Sequence, residues 1–199
     1  MIDVFGKPEN FAGRLRLAAT LLAVCAVFVA GAAGADDAPK AEAGAKADSG
    51  EKADAAVNSE NGKYLTANGD PTYHIGAEGK VDWYTYSGYL RYSSECLRCH
   101  GPDGMGSSYA PALVNSLKTM PYVQFLSTVA SGRKDFANGQ DKVMPQLGLN
   151  KNVMCFIDDI YVYLKARSDG ALGRNRPTTH EPKPQAWVDA ENACMGPPS

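Results

Sequence analysis

The stretch Cys96-Leu97-Arg98-Cys99-His100 constrains this chain more than any other. Two thiols three positions apart lie on one face of a helical turn, and a histidine directly follows the second thiol. Each thiol can form a thioether with one vinyl group of a porphyrin, and the adjacent imidazole then reaches the iron. The spacing therefore predicts one covalently bound haem c, with Cys96 and Cys99 as attachment points and His100 as an axial ligand.

Two other kinds of site use a Cys-x-x-Cys pair. A zinc site normally needs a second Cys or His pair, and the chain has neither another CxxC nor an HxxxH. A redox dithiol is expected in a thioredoxin-like βαβ setting, which the sequence does not show. Haem attachment is therefore the interpretation that the surrounding sequence favours.

A haem iron takes a second axial ligand unless it reacts at an open position. Met144 is the best candidate, because it lies 44 residues after His100, in a predicted loop that Pro145 stiffens. The other methionines of the mature chain lie near the attachment turn, in helices or in the tail: Met105, Met120, Met154 and Met195. Pro111 is expected to offer its carbonyl oxygen to the second ring nitrogen of His100.

The start of the chain has the three parts of an export signal. Basic residues Lys7, Arg14 and Arg16 precede the apolar run 17–30, and the small residues 33–35 form a cleavage site. The alternative is an uncleaved membrane anchor, but the run is at the short end for a span. We expect a signal peptide at 1–35, a periplasmic mature protein and no stable membrane insertion.

Composition divides the mature chain into three parts. Residues 36–58 are mainly Ala, Asp, Glu, Lys and Gly, and they predict a disordered linker because they cannot bury enough apolar surface. We assign 59–170 to a haem domain and 171–199 to a C-terminal tail packed on it. Without the three basic and two acidic residues of the signal, 17 basic and 20 acidic residues remain, and nothing indicates a nucleic-acid partner.

Hydrophobic periodicity and capping residues predict the secondary structure. The predicted elements, in chain order, are a hairpin over 64–75, a helix from the N-cap Asp82 into the CxxCH, an amphipathic helix from a Thr119 cap to Gly132, a polar loop over 133–142, a helix over 152–167 and a short helix over 185–194.

Several of these features resemble the small cytochromes c with His/Met ligation. Gly88, Tyr92 and the CxxCH follow the G-x3-aromatic-x3-CxxCH pattern, and residues 159–165 are similar to the C-terminal helix of that family. The resemblance covers roughly 80–167. It implies an all-α, small monohaem cytochrome c fold with crossing N- and C-terminal helices. The residues outside this range add the short N-terminal hairpin and an irregular C-terminal tail to the predicted fold. The resemblance also implies that Gly88 permits the crossing and that Tyr92 packs there against Tyr163.

A narrower resemblance, over about 60–196, is to the methanol metabolism-related c-type cytochromes. It rests on VDWYTYSGY (81–89), GPDGMGSSYAPAL (101–113), VMCFIDDIYVYL (153–164) and ENACMG (191–196). Those proteins are associated with PQQ-dependent methanol dehydrogenases, notably the lanthanide-dependent type.

The function expected from the motif and from this resemblance is single-electron transfer without enzymatic activity. The implied donor is a quinoprotein alcohol or methanol dehydrogenase, and the acceptor is a downstream cytochrome c or a terminal oxidase. One alternative is a fixed haem subunit of a larger dehydrogenase or oxidase complex. Another is an enzyme or sensor whose haem iron has an open coordination position.

Two cysteines remain once the signal removes Cys25 and the haem takes its pair. A leftover pair in an oxidising periplasm favours a disulfide. At ~100° per residue, Cys155 lies ~80° from Tyr163 and ~140° from Ile160, so it points away from the main core stripe. A returning tail can reach it there, and we expect a Cys155–Cys194 disulfide. The alternative is one buried thiol and one free thiol in the tail.

Overall fold

The computed structural model describes residues 56–136 and 141–196, and the predicted signal peptide lies outside them. The helices in these ranges are α1 (Trp83–Glu95), α2 (Leu97–His100), α3 (Leu113–Ser116), α4 (Tyr122–Ser131), α5 (Lys151–Met154), α6 (Ile157–Ser168) and α7 (Gln185–Met195). The strands are β1 (Asn58–Glu60), β2 (Lys63–Leu65), β3 (Pro71–Thr72), β4 (Arg133–Asp135) and β5 (Lys142–Met144). Within the described parts of the chain, no helix has the length and apolar character needed to cross a membrane.

The N-terminal strands form a small antiparallel sheet in the order β1-β2-β3. The predicted hairpin corresponds to β2 and β3, and Asn68 and Gly69 lie in the turn between them. Pro71 is tolerated because β3 is an edge strand, where a missing N–H costs no ladder bond. The strand β1 was not predicted and begins at Asn58, the last residue of the predicted linker.

The start of α1 is fixed by the side chain of Asp82, as the sequence predicts. Its carboxylate accepts hydrogen bonds from the Thr85 N–H at 2.8 Å, the Thr85 hydroxyl at 2.6 Å and the His74 N–H at 2.8 Å. The first two bonds cap the helix, and the third ties it to the segment after β3. Asp82 is fully buried, and burial raises the pKa of its carboxyl.

The centre of the core is the crossing of α1 and α6. An added Cβ at Gly88 would lie 1.8 Å from the carbonyl oxygen of Asp159, so the two backbones touch. Tyr92 and Tyr163 are fully buried beside the contact, with ring centroids 5.5 Å apart. The crossing and the tyrosine pair that the family resemblance implies are therefore present.

Two predicted helices differ from the structure. The second begins at Tyr122 rather than after a Thr119 cap, because Pro121 takes the N-cap and its carbonyl accepts from the Phe125 N–H at 3.0 Å. The predicted helix over 152–167 is split into α5 and α6. Phe156 leaves the helical region at the break, with φ −127° and ψ 20°, and buries its ring under the Arg91 guanidinium.

The predicted polar loop over 133–142 also contains regular structure. Its first three residues form β4, and its last residue, Lys142, begins β5. The two strands pair antiparallel with Arg133 opposite Met144. Both strands are exposed or half-exposed, so their composition has no apolar alternation. The sequence pattern therefore predicts a loop where the structure has these two strands.

The C-terminal tail is joined to the helical core by a covalent bond. Cys155 and Cys194 form the predicted disulfide, with Cα atoms 5.7 Å apart and a sequence separation of 39. A closed loop of that size contributes about 3–4 kcal/mol through the entropy of the unfolded chain. The helix α7 matches the predicted short helix and presents the buried Trp187 to the core.

The tail also pairs with the strand-like segment before α1. The N–H of Glu181 donates to the carbonyl of Val81 at 2.8 Å, and the Val81 N–H donates to the carbonyl of Thr179 at 3.2 Å. Nearby, the Trp187 indole N–H donates to a carboxylate oxygen of Asp159 at 2.8 Å. The tail therefore meets the core next to the α1–α6 crossing.

We predict that Gly88→Ala destabilises the protein. The new methyl group would meet backbone rather than a movable side chain, so the two helices must separate. The expected loss is at the upper end of the roughly 1–3 kcal/mol typical of overpacking, despite the better helix propensity of alanine. Urea denaturation measures it. Gly173→Ala is the control, because a Cβ there meets nothing within 4 Å. Equal stabilities of the two variants would contradict a tight crossing.

We predict a pH dependence of stability from Asp159, which is 4% exposed. Burial raises the pKa of its carboxyl from 3.8 to about 7, although hydrogen bonds from Ser87 and Trp187 oppose the shift. The native state then binds more protons than the unfolded state between these values. Its free energy of unfolding is highest below the lower value and falls as the pH rises towards neutrality.

Asp159→Asn removes this titration, so urea unfolding from pH 4 to 7 should show a flatter pH profile than the wild type. Asp189→Asn is the control, because Asp189 is an exposed carboxylate on α7. A profile for Asp159→Asn that runs parallel to the wild type would contradict the assignment.

Candidate functional site

The two cysteines of the motif lie on one turn at the junction of α1 and α2. The N–H of Cys96 donates to the Tyr92 carbonyl at 2.9 Å, and the Cys96 carbonyl accepts from the N–H groups of Cys99 and His100 at 3.2 and 3.0 Å. Neither cysteine is part of a disulfide, and Cys99 is exposed while Cys96 is half-buried. The local helix therefore presents two thiols and one imidazole within a single turn.

His100 is buried, with 7% of its surface exposed. Its Nδ1 lies 3.0 Å from the carbonyl oxygen of Pro111, the contact expected from the sequence. A carbonyl can only accept, so Nδ1 carries the proton and donates it. The neutral ring then has its lone pair on Nε2, the nitrogen available to a metal.

The turn after the motif is held by hydrogen bonds that the sequence did not predict. The Tyr92 hydroxyl donates to the Gly101 carbonyl at 2.5 Å and accepts from the Gly104 N–H at 3.0 Å. The Gly106 N–H donates to the His100 carbonyl at 2.7 Å. The sequence places Tyr92 at the helix crossing, but the role of its hydroxyl depends on backbone acceptors that have no residue signature.

Met144 ends β5 and its side chain is half-buried. The segment that follows it is pinned to α4, because the Leu147 N–H donates to the Val129 carbonyl at 3.1 Å and the Gly148 N–H donates to the Ala130 carbonyl at 3.0 Å. Met144 is therefore held by backbone bonds on both sides, outside any helix.

The other methionines differ from Met144 in their place in the chain. Met105 is 48% exposed in the turn after the motif. Met120, Met154 and Met195 are half-buried and packed against the hydrophobic core, as Met144 is, but Met154 lies in α5, Met195 in α7 and Met120 just before α4. Packing is the ordinary role of methionine in such positions.

The structure also bears on the two alternative uses of the thiol pair. Burial raises the pKa of the Cys96 thiol to about 12, with the Glu95 and Cys99 charges adding to the rise. A reactive dithiol needs a lowered pKa instead. Within 56–136 and 141–196, no group of three or more His, Cys, Asp or Glu side chains is placed to hold a metal ion. Neither a redox dithiol nor a zinc site is favoured.

The donor set fits a covalently bound haem. Such a group needs two free thiols one turn apart and an imidazole with one nitrogen fixed and the other available. Cys96, Cys99 and His100 meet these requirements, and Pro111 fixes the imidazole.

Comparison with known proteins agrees with this donor set. The chain is 54% identical to cytochrome c-553I of Paracoccus denitrificans over 136 residues, which are 68% of this chain and 60% of that protein. It is 41% identical to cytochrome c-555 of Methylococcus capsulatus over 106 residues, covering 53% of this chain and 76% of that protein. The matched part thus spans less than two thirds of the length of cytochrome c-553I. No family model matches the chain.

The fold has a solved counterpart as well. The crystal structure of the c-type cytochrome XoxG from Methylobacterium extorquens AM1 is similar with a TM-score of 0.68 and 52% sequence identity, covering 72% of this chain and 87% of that one. The mainly helical architecture with a short sheet is therefore that of a c-type cytochrome. With these relatives and with its attachment motif in place, the chain belongs to the c-type cytochromes, electron-transfer proteins that carry covalently bound haem c.

Proposed function

We propose that this cytochrome is a periplasmic single-electron carrier between a PQQ-dependent methanol dehydrogenase, of the lanthanide-dependent type, and a downstream cytochrome c or terminal oxidase. The observation that carries electron transfer is the turn that presents Cys96, Cys99 and the oriented imidazole of His100. The choice of donor rests on the resemblance to the methanol metabolism-related c-type cytochromes over about 60–196.

The roles of the site residues follow from their chemistry. Cys96 and Cys99 would hold the haem through thioethers, and Nε2 of His100 and the sulfur of Met144 would be the axial ligands. When bound, the haem supplies one-electron redox chemistry at its iron. Thioether ligation stabilises the ferrous state, raises the reduction potential and leaves no position for oxygen. Pro111 keeps the His100 ring in one tautomer and one orientation.

The proposed compartment is supported by the disulfide between Cys155 and Cys194. Disulfides persist in the periplasm and are rare in the bacterial cytosol. The proposed signal peptide at 1–35 and linker at 36–58 fit an exported protein, followed by a haem domain at 59–170 and a tail at 171–199.

Two other functions are separated from this one by simple measurements. A fixed haem subunit would stay with its complex during purification at moderate salt, whereas a carrier leaves its partner once salt screens their charges. An enzyme or sensor with open iron coordination would bind carbon monoxide readily when reduced. The Met144-Pro145 pair after the CxxCH supplies a candidate second ligand and so favours a carrier with closed coordination.

We predict that Met144→Ala keeps its covalent haem, because the thioethers involve only the cysteines. The variant should lose the methionine-to-iron charge-transfer band at the red end of the ferric spectrum, and its reduction potential should fall. Met105→Ala is the control, since Met105 is exposed in another loop. A band that persists in Met144→Ala would exclude Met144 as a ligand.

We predict that the purified ferric holoprotein is reduced by a lanthanide-dependent methanol dehydrogenase when methanol is present. Stopped-flow absorbance should show a rate that rises with dehydrogenase concentration and that depends on methanol. The same enzyme without methanol is the control, and a calcium-dependent methanol dehydrogenase tests the choice of metal type. Reduction by the calcium enzyme alone would overturn the lanthanide assignment, and reduction by neither would overturn the proposed donor.

A further inference from the structure

We propose that Arg174 and Asn175 in the C-terminal tail are positioning residues for the haem, acting on His100 through Asp103. They hold the turn that follows the CxxCH and so contribute to the orientation of the axial imidazole and to the reduction potential. This inference rests on the proposed ligation of iron by His100.

The turn at Pro102–Gly104 has a backbone conformation that needs support. Asp103 has φ +57° and Gly104 has φ +73°. A residue with a Cβ is found at positive φ only a few per cent of the time, and such positions persist where neighbouring groups hold them. The neighbours of Asp103 therefore decide whether this turn keeps its shape.

Those neighbours come from the last turn of α6 and from the chain just after it. One carboxylate oxygen of Asp103 accepts from Nε of Arg174 at 3.1 Å, and the other accepts from the backbone N–H of Asn175 at 3.2 Å. The Asp103 carbonyl accepts from Nε of Arg167 at 3.4 Å, and Nη1 of Arg167 donates to the Leu172 carbonyl at 2.6 Å. Side chain and backbone of Asp103 are thus both bound by the segment 167–175.

The two partners of the ion pair differ in exposure. The side chain of Arg174 is 64% exposed and that of Asp103 is 9% exposed. A pair with one exposed partner contributes little to stability, because solvent screens the exposed charge. Loss of Arg174 nevertheless leaves a buried carboxylate with one hydrogen bond fewer, and the turn can move to solvate it. Loss of Arg174 is therefore expected mainly to displace the turn at Asp103.

A short chain of contacts connects this turn to the imidazole. The Tyr92 hydroxyl bridges the Gly101 carbonyl and the Gly104 N–H, and the Gly106 N–H binds the His100 carbonyl. The backbone around Gly106 also packs closely against Pro111, since an added Cβ on Gly106 would lie 3.1 Å from the Pro111 carbonyl carbon.

The Pro111 carbonyl is the group that accepts the hydrogen bond from Nδ1–H of His100. A shift of the turn at Asp103 therefore reaches both the backbone of His100 and the hydrogen bond of its ring. Orientation and hydrogen bonding of an axial histidine are known determinants of metal electronics, so a displaced turn should alter the reduction potential.

The experiment compares three variants of the holoprotein. Arg174→Gln removes the ion pair, and Arg174→Lys keeps the charge but loses the Nε donor. Arg176→Gln is the matched control, because Arg176 lies two positions away and its guanidinium binds the hydroxyl of Tyr86 instead of the turn. The measurements are the reduction potential, the hyperfine-shifted NMR resonances of the His100 ring in the ferric protein, and amide hydrogen exchange at Gly104 and Gly106.

We expect both Arg174 variants to exchange these two amides at least tenfold faster than the wild type and to shift the His100 resonances. We expect Arg174→Gln to change the equilibrium constant for reduction by at least threefold, about 28 mV at 59 mV per tenfold for one electron. Arg176→Gln should leave all three measurements near wild type. The proposal would be overturned if Arg174→Gln had the same potential and His100 resonances as Arg176→Gln. The contact between Arg174 and Asp103 would then serve only to hold the tail against the domain.

A readout that needs no partner separates this inference from the proposed function. The three measurements use the attached haem alone, so a protein that fails to accept electrons from methanol dehydrogenase still tests the role of Arg174. Conversely, a wild-type ferric spectrum without resonances of a ligated His100 ring would contradict the proposed ligand and this inference together. If Arg174→Gln does not fold, Arg174→Lys still tests the proposal. This variant keeps the positive charge at position 174, so its potential and His100 resonances would equal those of the wild type if the charge alone mattered. They would differ if the hydrogen bond from Nε to Asp103 holds the turn.

Discussion

The backbone contact between Gly88 on α1 and Asp159 on α6 is the constraint on which the rest of the molecule depends. A Cβ at Gly88 would lie 1.8 Å from the Asp159 carbonyl oxygen, so any other residue there forces the helices apart. Because α1 continues directly into the CxxCH turn, the crossing also sets where the two thiols and His100 lie. Tyr92, one turn after Gly88, packs at the crossing with its ring and binds the turn after His100 with its hydroxyl.

The C-terminal tail is bound to both ends of this arrangement. Near the crossing, the Trp187 indole binds the buried carboxylate of Asp159, and the Cys155–Cys194 disulfide anchors α7 to the junction of α5 and α6. At the turn that follows the CxxCH, Arg174 binds Asp103. A small domain buries a limited fraction of its surface, so a covalent link and a wrapping tail contribute a large share of its stability. The same tail that stabilises the helices is thus in contact with the turn that follows His100.

Sequence patterns predicted elements well where the signal is local. Asp82 caps α1 with the expected side-chain bonds, and the disulfide follows from counting cysteines and from one helical angle. The predictions were wrong where a local signal competes with packing. Thr119 is a good capping residue, but Pro121 is the N-cap of the helix instead. The apolar stripe over 152–167 predicts one helix and gives no sign of the break at Phe156, whose ring is buried beneath Arg91.

The sequence by itself predicts the thiol and imidazole donors of this cytochrome. Two thiols and an imidazole within five residues need only one helical turn to come together. Cys96, Cys99 and His100 can therefore be identified as candidates before the fold is known. Only the tertiary structure decided which distant groups meet. The contact between Asp103 and Arg174, 71 residues apart, and the burial that raises the pKa of Asp159 have no pattern in the chain. Such contacts join distant segments, often through backbone carbonyls and N–H groups that every residue carries, and packing alone selects which of them meet.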